Sequence, residues 1–123
     1  MTTNNEAFRI VIVEDESMVA MLLEDILGEL GHDIVAVAGS LEKAEQLFAE
    51  TQFDLAVLDV NLNGVYTYPL AAMLKDKGSP FFFSTGYGRS GLRPEWREYP
   101  VLQKPFTDID VRNAVEAAMS RSA

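Results

Sequence analysis

Short, nearly continuous apolar runs alternate along the chain with longer segments in which apolar residues recur every three or four positions. The runs occupy residues 9–13, 34–38, 53–58, 81–84 and 101–103. A run that is apolar on successive residues, rather than on every second one, is typical of a strand covered on both faces. The pattern therefore predicts five strands buried inside the fold.

The longer segments predict helices, and their ends carry recognisable signals. One spans residues 17–30 and is closed by Gly31, since glycine suits the position after a helix C-terminus. A second has Ser40 as its N-cap and runs to residue 50, and a third runs from about Pro69 to residue 77. The last follows Thr107, with Asp110 in the capping-box position. The inward stripe of the first helix is predicted to be Val19, Leu22, Leu23, Ile26, Leu27 and Leu30.

Residues 86–100 fit neither pattern, because three glycines and two prolines interrupt them. We expect the fourth helix to be short or mobile, near residues 94–98. Five alternations of strand and helix predict an α/β fold, a five-stranded parallel sheet with helices on both faces. We expect one domain at residues 8–121, after a flexible N-terminus at residues 1–7, and no output domain.

The composition narrows the classes of function. The net charge is −9, and only ten Lys and Arg residues are spread over the chain. The charge therefore argues against nucleic acids and anionic membranes as partners, because binding them needs a basic face. There is no cysteine, and hence no disulfide or thiolate metal site. No apolar run could span a bilayer and no signal peptide is recognisable, so a cytoplasmic location is expected.

Four of the predicted strands end at residues that carry chemistry. Glu14 and Asp15 follow the first strand, Asp59 ends the third, Thr85 follows the fourth and Lys104 follows the fifth. Ligands of open parallel sheets bind beyond the carboxyl ends of the strands, where all of these residues are expected to meet. The sequence therefore predicts one functional site at that edge.

The residue types at this edge suit a metal ion and a phosphoryl group. Clustered carboxylates repel one another, and Mg²⁺ relieves that repulsion with oxygen ligands. Asp15 and Asp59 could bind Mg²⁺ directly, Glu14 directly or through water, and the Asn61 backbone carbonyl could complete the protein ligands. A carboxylate can also accept a phosphoryl group, which predicts an aspartyl phosphate at Asp59.

The charge of that phosphoryl group could be met by the Lys104 ammonium and the Thr85 hydroxyl. Each feature alone has a simpler explanation. Acids before a helix favour its dipole, and Asp59 followed by Asn61 and Gly64 could be turn chemistry. The functional interpretation rests on the whole set, whose residues stand at the ends of four different strands.

In this combination the residues resemble the receiver domain of two-component response regulators. The matching motifs are Ile-Val-Glu14-Asp15-Glu16, Leu58-Asp59-Val60-Asn61, Ser84-Thr85-Gly86 and Gln103-Lys104-Pro105-Phe106. The resemblance implies a flavodoxin-like (βα)5 fold with strand order 2-1-3-4-5, and a frequent cis bond before the proline after the lysine.

The resemblance also implies what the site residues do. A histidine kinase or phosphotransferase would phosphorylate Asp59, with Mg²⁺ bound by Glu14, Asp15, Asp59 and Asn61. Thr85 and Lys104 would sense the phosphoryl group. The protein would then be a signalling phosphoacceptor rather than a metabolic enzyme, acting on a downstream regulator protein by contact or by phosphate relay.

Residues 80–88 are similar to the signature of a narrower set, the FAT GUY group of single-domain regulators. That resemblance implies general stress signalling and a kinase of the HWE or related type. Ser84 stands where the group's name has alanine. Receivers also carry an aromatic residue three positions before the lysine, and here that residue is Val101.

The absence of that aromatic residue puts the usual threonine–aromatic coupling in doubt. We expect that ordering of residues 86–100 is itself the switch, with Tyr87, Val101 and Trp96 at the switch or partner surface. For Trp96, packing inside the fold is the favoured alternative. His32, the only histidine, is expected at the opposite edge. Two other functions compete: a phosphatase, which would want an acid where Asn61 stands, and a pseudo-receiver scaffold that needs no phosphorylation.

Overall fold

The computed structural model describes residues 6–121 and contains a five-stranded parallel sheet. The strands of this sheet are β1 (Arg9–Val13), β2 (Asp33–Ala38), β3 (Leu55–Asp59), β6 (Phe81–Thr85) and β7 (Val101–Gln103). Two short strands, β4 (Asn61–Leu62) and β5 (Val65–Tyr66), form a separate antiparallel pair. The helices are α1 (Ser17–Glu29), α2 (Leu41–Glu50), α3 (Tyr68–Lys77) and α4 (Asp108–Arg121).

The order of the main sheet is β2-β1-β3-β6-β7. This confirms the 2-1-3-4-5 order, because the small hairpin is inserted between its third and fourth strands. Side chains of α1 and α4 pack on one face of the sheet, around Ile12 and Phe82. Side chains of α2, α3 and the segment before β7 pack on the other face, around Leu58 and Phe83. All five residues of β3 and of β6 are buried, as expected for central parallel strands.

The predicted helix ends are largely confirmed. The Ser40 hydroxyl accepts a hydrogen bond from the Lys43 N–H at 3.2 Å. Thr107 and Asp110 form the capping box, in which each backbone N–H donates to the other's side chain, at 2.9 and 3.2 Å. Gly31 takes a positive φ of 98° just after α1. The Lys104–Pro105 peptide bond is cis.

One part of the predicted stripe on α1 is wrong. Leu22 is 47% exposed, and Met18 and Met21 beside it are 82% and 60% exposed, whereas Ala20 is buried. The small Ala20 side chain lies in the interface with the sheet, so the buried stripe is rotated away from Leu22. An apolar surface is left on α1 as a result.

Residues 86–100 contain no α-helix. Two 3₁₀ turns, Gly88–Gly91 and Pro94–Trp96, occupy the place of the predicted fourth helix, which confirms that any helix there is short. Arginine side chains hold the turns: Arg89 Nη1 donates to the carbonyls of Arg97 and Tyr99, and Arg97 Nε donates to Leu92 O at 2.9 Å. We call residues 86–100 the turn segment.

The residues after β3 form a hairpin rather than the loop predicted from their sequence. Asn61 pairs with Tyr66 and Leu62 pairs with Val65. Asn63 and Gly64 make the turn with φ of 53° and 96°, and two positive φ angles are typical of the tight Asn-Gly turn. Within residues 6–121, no helix combines the length and the apolar character needed to cross a membrane.

Candidate functional site at the carboxyl edge of the sheet

Three acidic side chains converge where β1 and β3 end. One carboxylate oxygen from each of Glu14, Asp15 and Asp59 can be chosen so that all three lie within 4.8 Å of one another. Glu14 and Asp59 are buried, whereas Asp15 is exposed. The parallel strands cause this arrangement, because β1 and β3 pair directly and both end at this edge.

Glu14 is the most deeply buried of these acids, with 3% of its surface exposed. Its Oε2 accepts a hydrogen bond from the Glu16 N–H at 3.1 Å. Burial raises the pKa of Glu14 to about 7; the Asp59 carboxylate adds to the rise, and the Glu16 N–H and the Lys104 ammonium reduce it. Glu14 Oε1 lies 3.1 Å from Lys104 Nζ, an ion pair without hydrogen-bond geometry.

Lys104 follows β7 and reaches across the site. Its Nζ lies 3.1 Å from Glu14 Oε1, 3.4 Å from Asp59 Oδ2 and 3.8 Å from Glu16 Oε1. Burial alone lowers the pKa of Lys104, but the charges of Asp59 and Glu14 outweigh burial and raise it above its usual value. Lys104 is therefore a fixed positive charge beside Asp59.

Asp59 is held at both ends of its carboxylate. Oδ1 accepts a hydrogen bond from the Asn61 N–H at 3.3 Å, and Oδ2 accepts one from Lys104 Nζ at 3.4 Å. Asn61 opens β4, so pairing of the hairpin fixes the position of this residue relative to Asp59. The sequence prediction that Glu14, Asp15, Asp59, Asn61 and Lys104 meet at one edge is thus matched by their placement.

Thr85 ends β6 at the same edge and is buried. Its Oγ1 accepts a hydrogen bond from the Tyr87 N–H at 3.1 Å. The first 3₁₀ turn lies directly on it: a Cβ added at Gly91 would come within 3.1 Å of Thr85 Oγ1 and 2.8 Å of Tyr87 Cβ. The Thr85 hydroxyl therefore contacts the turn segment directly, through its bond to Tyr87 and its proximity to Gly91.

The donor set fits a hard divalent cation such as Mg²⁺. The three acids supply oxygen atoms only, and Mg²⁺ prefers oxygen ligands while keeping several waters. Oε1 of Glu14 has no hydrogen-bond partner among residues 6–121, and its charge is met by the Lys104 ammonium 3.1 Å away, so a bound cation would share this oxygen with Lys104. No cysteine exists in the chain, and the single histidine is not among the gathered ligands.

The three residues predicted for the switch or partner surface differ in placement. Tyr87 is 81% exposed, whereas Val101 is half-buried in β7 beside Phe83. Trp96 is buried, which supports the packing alternative and not a place on a partner surface. It packs on Tyr68 with ring centroids 6.2 Å apart and on Phe83 at 6.0 Å, which makes it part of the core.

His32 lies where the sequence indicated, away from the acids and before β2. It is half-buried: its Nδ1 accepts a hydrogen bond from the Phe8 N–H at 3.1 Å and its ring stacks on Phe8. Burial lowers the pKa of His32. This histidine is a structural residue of the amino edge of the sheet.

Sequence reasoning missed two buried hydroxyls near Asp59. Thr67 is fully buried, and its Oγ1 donates to the Asp59 backbone carbonyl at 2.7 Å. Ser84 pairs with Asp59 across β3 and β6, and its buried hydroxyl has no hydrogen-bond partner among residues 6–121. A threonine or serine next to a strand or helix end is common, so neither position carried a signal.

Comparison with known proteins shows what the chain is similar to. The response regulator receiver domain family matches residues 10–116. The transcriptional regulatory protein PdtaR of Mycobacterium tuberculosis is 31% identical over 117 residues, which cover 92% of this chain and 57% of PdtaR. The chain therefore spans little more than half the length of that relative.

Two solved structures are similar across nearly all of the chain. SdrG from Sphingomonas melonis Fr1 is 38% identical with a TM-score of 0.84, and the match covers 92% of this chain and 97% of SdrG. The PhyR stress response regulator is 27% identical with a TM-score of 0.82, and the match covers 94% of this chain and 46% of PhyR. The likeness extends from sequence to fold.

Proposed function

Because the chain belongs to the response regulator receiver domain family of two-component signalling, we propose that it is a phosphorylation switch with Asp59 as the phosphoryl acceptor. One observation carries this proposal: the Asp59 carboxylate lies beside Glu14 and Asp15 and 3.4 Å from the Lys104 ammonium. Receiver domains are signalling phosphoacceptors and typically bind Mg²⁺ through acidic residues.

The transfer itself needs little from the protein beyond placement of one oxygen. An Asp59 carboxylate oxygen attacks the phosphorus of a phosphohistidine on the donor protein. The new O–P bond forms as the P–N bond breaks, and the imidazole leaves with the bonding electron pair and takes up a proton. The Asn61 N–H and the Lys104 ammonium hold the carboxylate in place during the attack.

We assign the ligands of Mg²⁺ to Glu14, Asp15, Asp59 and the backbone carbonyl of Asn61. When bound, the ion offsets the negative charge of the transferred phosphoryl oxygens. In this proposal the Lys104 ammonium offsets part of the same charge. The Thr85 hydroxyl, whose oxygen accepts a hydrogen bond from the Tyr87 N–H, donates its own proton to another phosphoryl oxygen. Lys104 and Thr85 are therefore the phosphoryl-sensing residues of this proposal.

The readout in this proposal is a rearrangement of the turn segment. Val101 offers no aromatic ring to swing inward, whereas the turn at Gly88–Gly91 already packs on Thr85. Tyr87, which is highly exposed, is the residue best placed to present the change to a downstream regulator protein. Trp96 takes no part in that surface because it is buried.

The signalling context follows from the relatives. SdrG is similar over 97% of its length, and PhyR is a stress response regulator. We therefore assign the chain to general stress signalling, with a histidine kinase of the HWE or related type, or a phosphotransferase, as phosphodonor. The cytoplasm is where such a donor would meet this protein.

The test is phosphorylation of the purified protein by phosphoramidate with Mg²⁺, followed by intact-mass measurement. We expect one added phosphoryl group in the wild type and none in Asp59→Asn. Asp76→Asn, which removes an exposed acid on α3, is the matched control and should label normally.

Absence of an adduct in the wild type with phosphoramidate, and also with a phosphorylated HWE-type kinase, would overturn the proposal in favour of a scaffold. An adduct that persists in Asp59→Asn would move the acceptor to another residue. Repeating the reaction without Mg²⁺ tests the metal assignment, since labelling should then be slower.

A further inference from the structure

Thr67 is the fully buried polar residue that joins the end of the hairpin to the start of α3. Its hydroxyl donates to the backbone carbonyl of Asp59 at 2.7 Å and lies 3.3 Å from the carbonyl of Val60. Its own N–H donates to Val60 O at 2.9 Å. Thr67 thus contacts the backbone at, and just after, the proposed acceptor.

The direction of this hydroxyl is unusual for its position. Thr67 is the N-cap of α3, where a threonine hydroxyl commonly accepts a hydrogen bond from an N–H of the first turn. Here the side chain makes no capping bond; the Leu70 N–H instead donates to the Thr67 carbonyl at 2.9 Å. The hydroxyl bonds the Asp59 carbonyl rather than the helix.

This bond completes the restraint on the acceptor. The Asp59 side chain is held by the Asn61 N–H and by Lys104, and its backbone is held by Thr67. Tyr66, the residue before Thr67, pairs with Asn61 across the hairpin. The chain therefore leaves Asp59 through the hairpin and contacts it again through Thr67. Both the side chain and the backbone of Asp59 are thus held in place, as attack along a defined line requires.

We propose that Thr67 is a positioning residue for phosphoryl acceptance, acting through the backbone of Asp59 and the paired position of Asn61. This inference rests on the proposed function, because it concerns the same acceptor. Thr67 touches neither the donor nor the reacting atoms. The Thr67 hydroxyl keeps the Asp59 carboxylate oxygen within hydrogen-bond distance of the Asn61 N–H. Loss of this hydroxyl therefore slows phosphoryl transfer without removing the acceptor.

The test compares two substitutions of nearly equal size. Thr67→Val keeps the branched shape and removes the hydroxyl, whereas Thr67→Ser keeps the hydroxyl and removes the methyl group. With phosphoramidate and Mg²⁺, we expect labelling of Asp59 to be slower by about tenfold in Thr67→Val and to stay within about twofold of wild type in Thr67→Ser.

A second readout needs neither metal nor donor. In metal-free protein, hydrogen exchange at the Asn61 amide should be faster in Thr67→Val and close to wild type in Thr67→Ser, because the Asn61 N–H bonds the Asp59 carboxylate. Exchange in the centre of α1, at Leu23, is the internal reference and should not change beyond any loss of global stability.

Wild-type labelling by Thr67→Val would overturn the inference. So would equally slow labelling by Thr67→Val and Thr67→Ser, since a shared defect would make the residue structural only. If the wild type accepts no phosphoryl group, the proposed function fails instead; unchanged Asn61 exchange in Thr67→Val would then overturn the positioning role separately.

Discussion

The two connections that leave the functional edge of the sheet are built in opposite ways. The hairpin after β3 is held by backbone pairing and by one buried hydroxyl, through Asn61, Tyr66 and Thr67. The turn segment after β6 has only local backbone bonds within its two 3₁₀ turns, and side chains join those turns to each other and to the core: Arg89 bonds two carbonyls, Arg97 bonds a third, and rings stack around Trp96. One connection begins at the proposed acceptor, the other at the proposed sensor.

This difference fits a division of labour between the two connections. Backbone pairing fixes a geometry that few side chains can disturb, which suits a residue that must be attacked along a line. Contacts made by arginine side chains and aromatic rings can be replaced by other contacts without breaking the backbone hydrogen bonds between paired strands. Such contacts suit a segment that must have two arrangements. The hairpin is thus expected to stay rigid in both states while the turn segment rearranges.

Trp96→Ala should produce the largest effect, because the ring anchors the turn segment to the core. It packs against Tyr68, Phe81, Phe83 and Tyr99. We expect a loss of about 3–5 kcal/mol in the free energy of unfolding, measured in urea. Trp96→Phe, which keeps a ring, should lose clearly less. A loss under about 1 kcal/mol in Trp96→Ala would mean that side chains do not hold this segment.

Gly64→Ala probes the hairpin, where backbone conformation rather than packing is decisive. Gly64 has φ of 96°, and a Cβ there would meet nothing within 4 Å. We expect a loss of about 1–2 kcal/mol in unfolding free energy from the backbone strain alone. Gly86→Ala is the matched control in the turn segment, since it also has open space but no positive φ. Equal losses of unfolding free energy in Gly64→Ala and Gly86→Ala would mean that the hairpin depends on its backbone conformation no more than the turn segment does.

Arg89→Met removes the side-chain clamp of the turn segment while keeping its aliphatic stem. Since Arg89 is exposed, we expect only about 1 kcal/mol of lost stability, together with faster hydrogen exchange at residues 97–101. Exchange at Asn61 and Thr67 in the hairpin should not change. Arg112→Met, at an exposed position of α4, controls for loss of charge. Faster exchange in both connections would show that they are not independent.

The sequence predicted the parallel sheet and the meeting of acids, hydroxyl and amine at one edge, because strand ends in such a sheet are forced together. Sequence reasoning failed where the hydrophobic pattern does not assign a residue to a buried or an exposed face. Trp96 lies in a stretch without a repeating pattern, so no face could be assigned to it. Leu22 was misplaced because a wide apolar stripe does not reveal which of its edges meets the sheet.

The hairpin shows a different limit of sequence reasoning. Its strands have two residues each, too few for a period, although Asn63-Gly64 is a strong signal for a tight hairpin turn. Thr67 left no signal at all. Its partner is a backbone carbonyl, and every residue offers one, so only the fold reveals that this hydroxyl reaches Asp59.

Ser84→Ala should have the smallest effect, and it contrasts two buried hydroxyls that flank the same aspartate. The Thr67 hydroxyl bonds the Asp59 carbonyl, whereas the Ser84 hydroxyl, on the neighbouring strand, has no partner among residues 6–121. Removing a buried hydroxyl without a partner relieves its desolvation cost. We therefore expect unchanged or slightly raised stability, by less than about 1 kcal/mol.

Thr67→Val should lower the free energy of unfolding, because it leaves the Asp59 carbonyl without the donor that Thr67 supplies. Urea unfolding of the two variants side by side measures the contrast. A loss of more than about 1 kcal/mol in Ser84→Ala would mean that its hydroxyl is bonded, for instance to a buried water. The acceptor would then be supported from β6 as well as from the hairpin, and the two connections would share the task of holding Asp59.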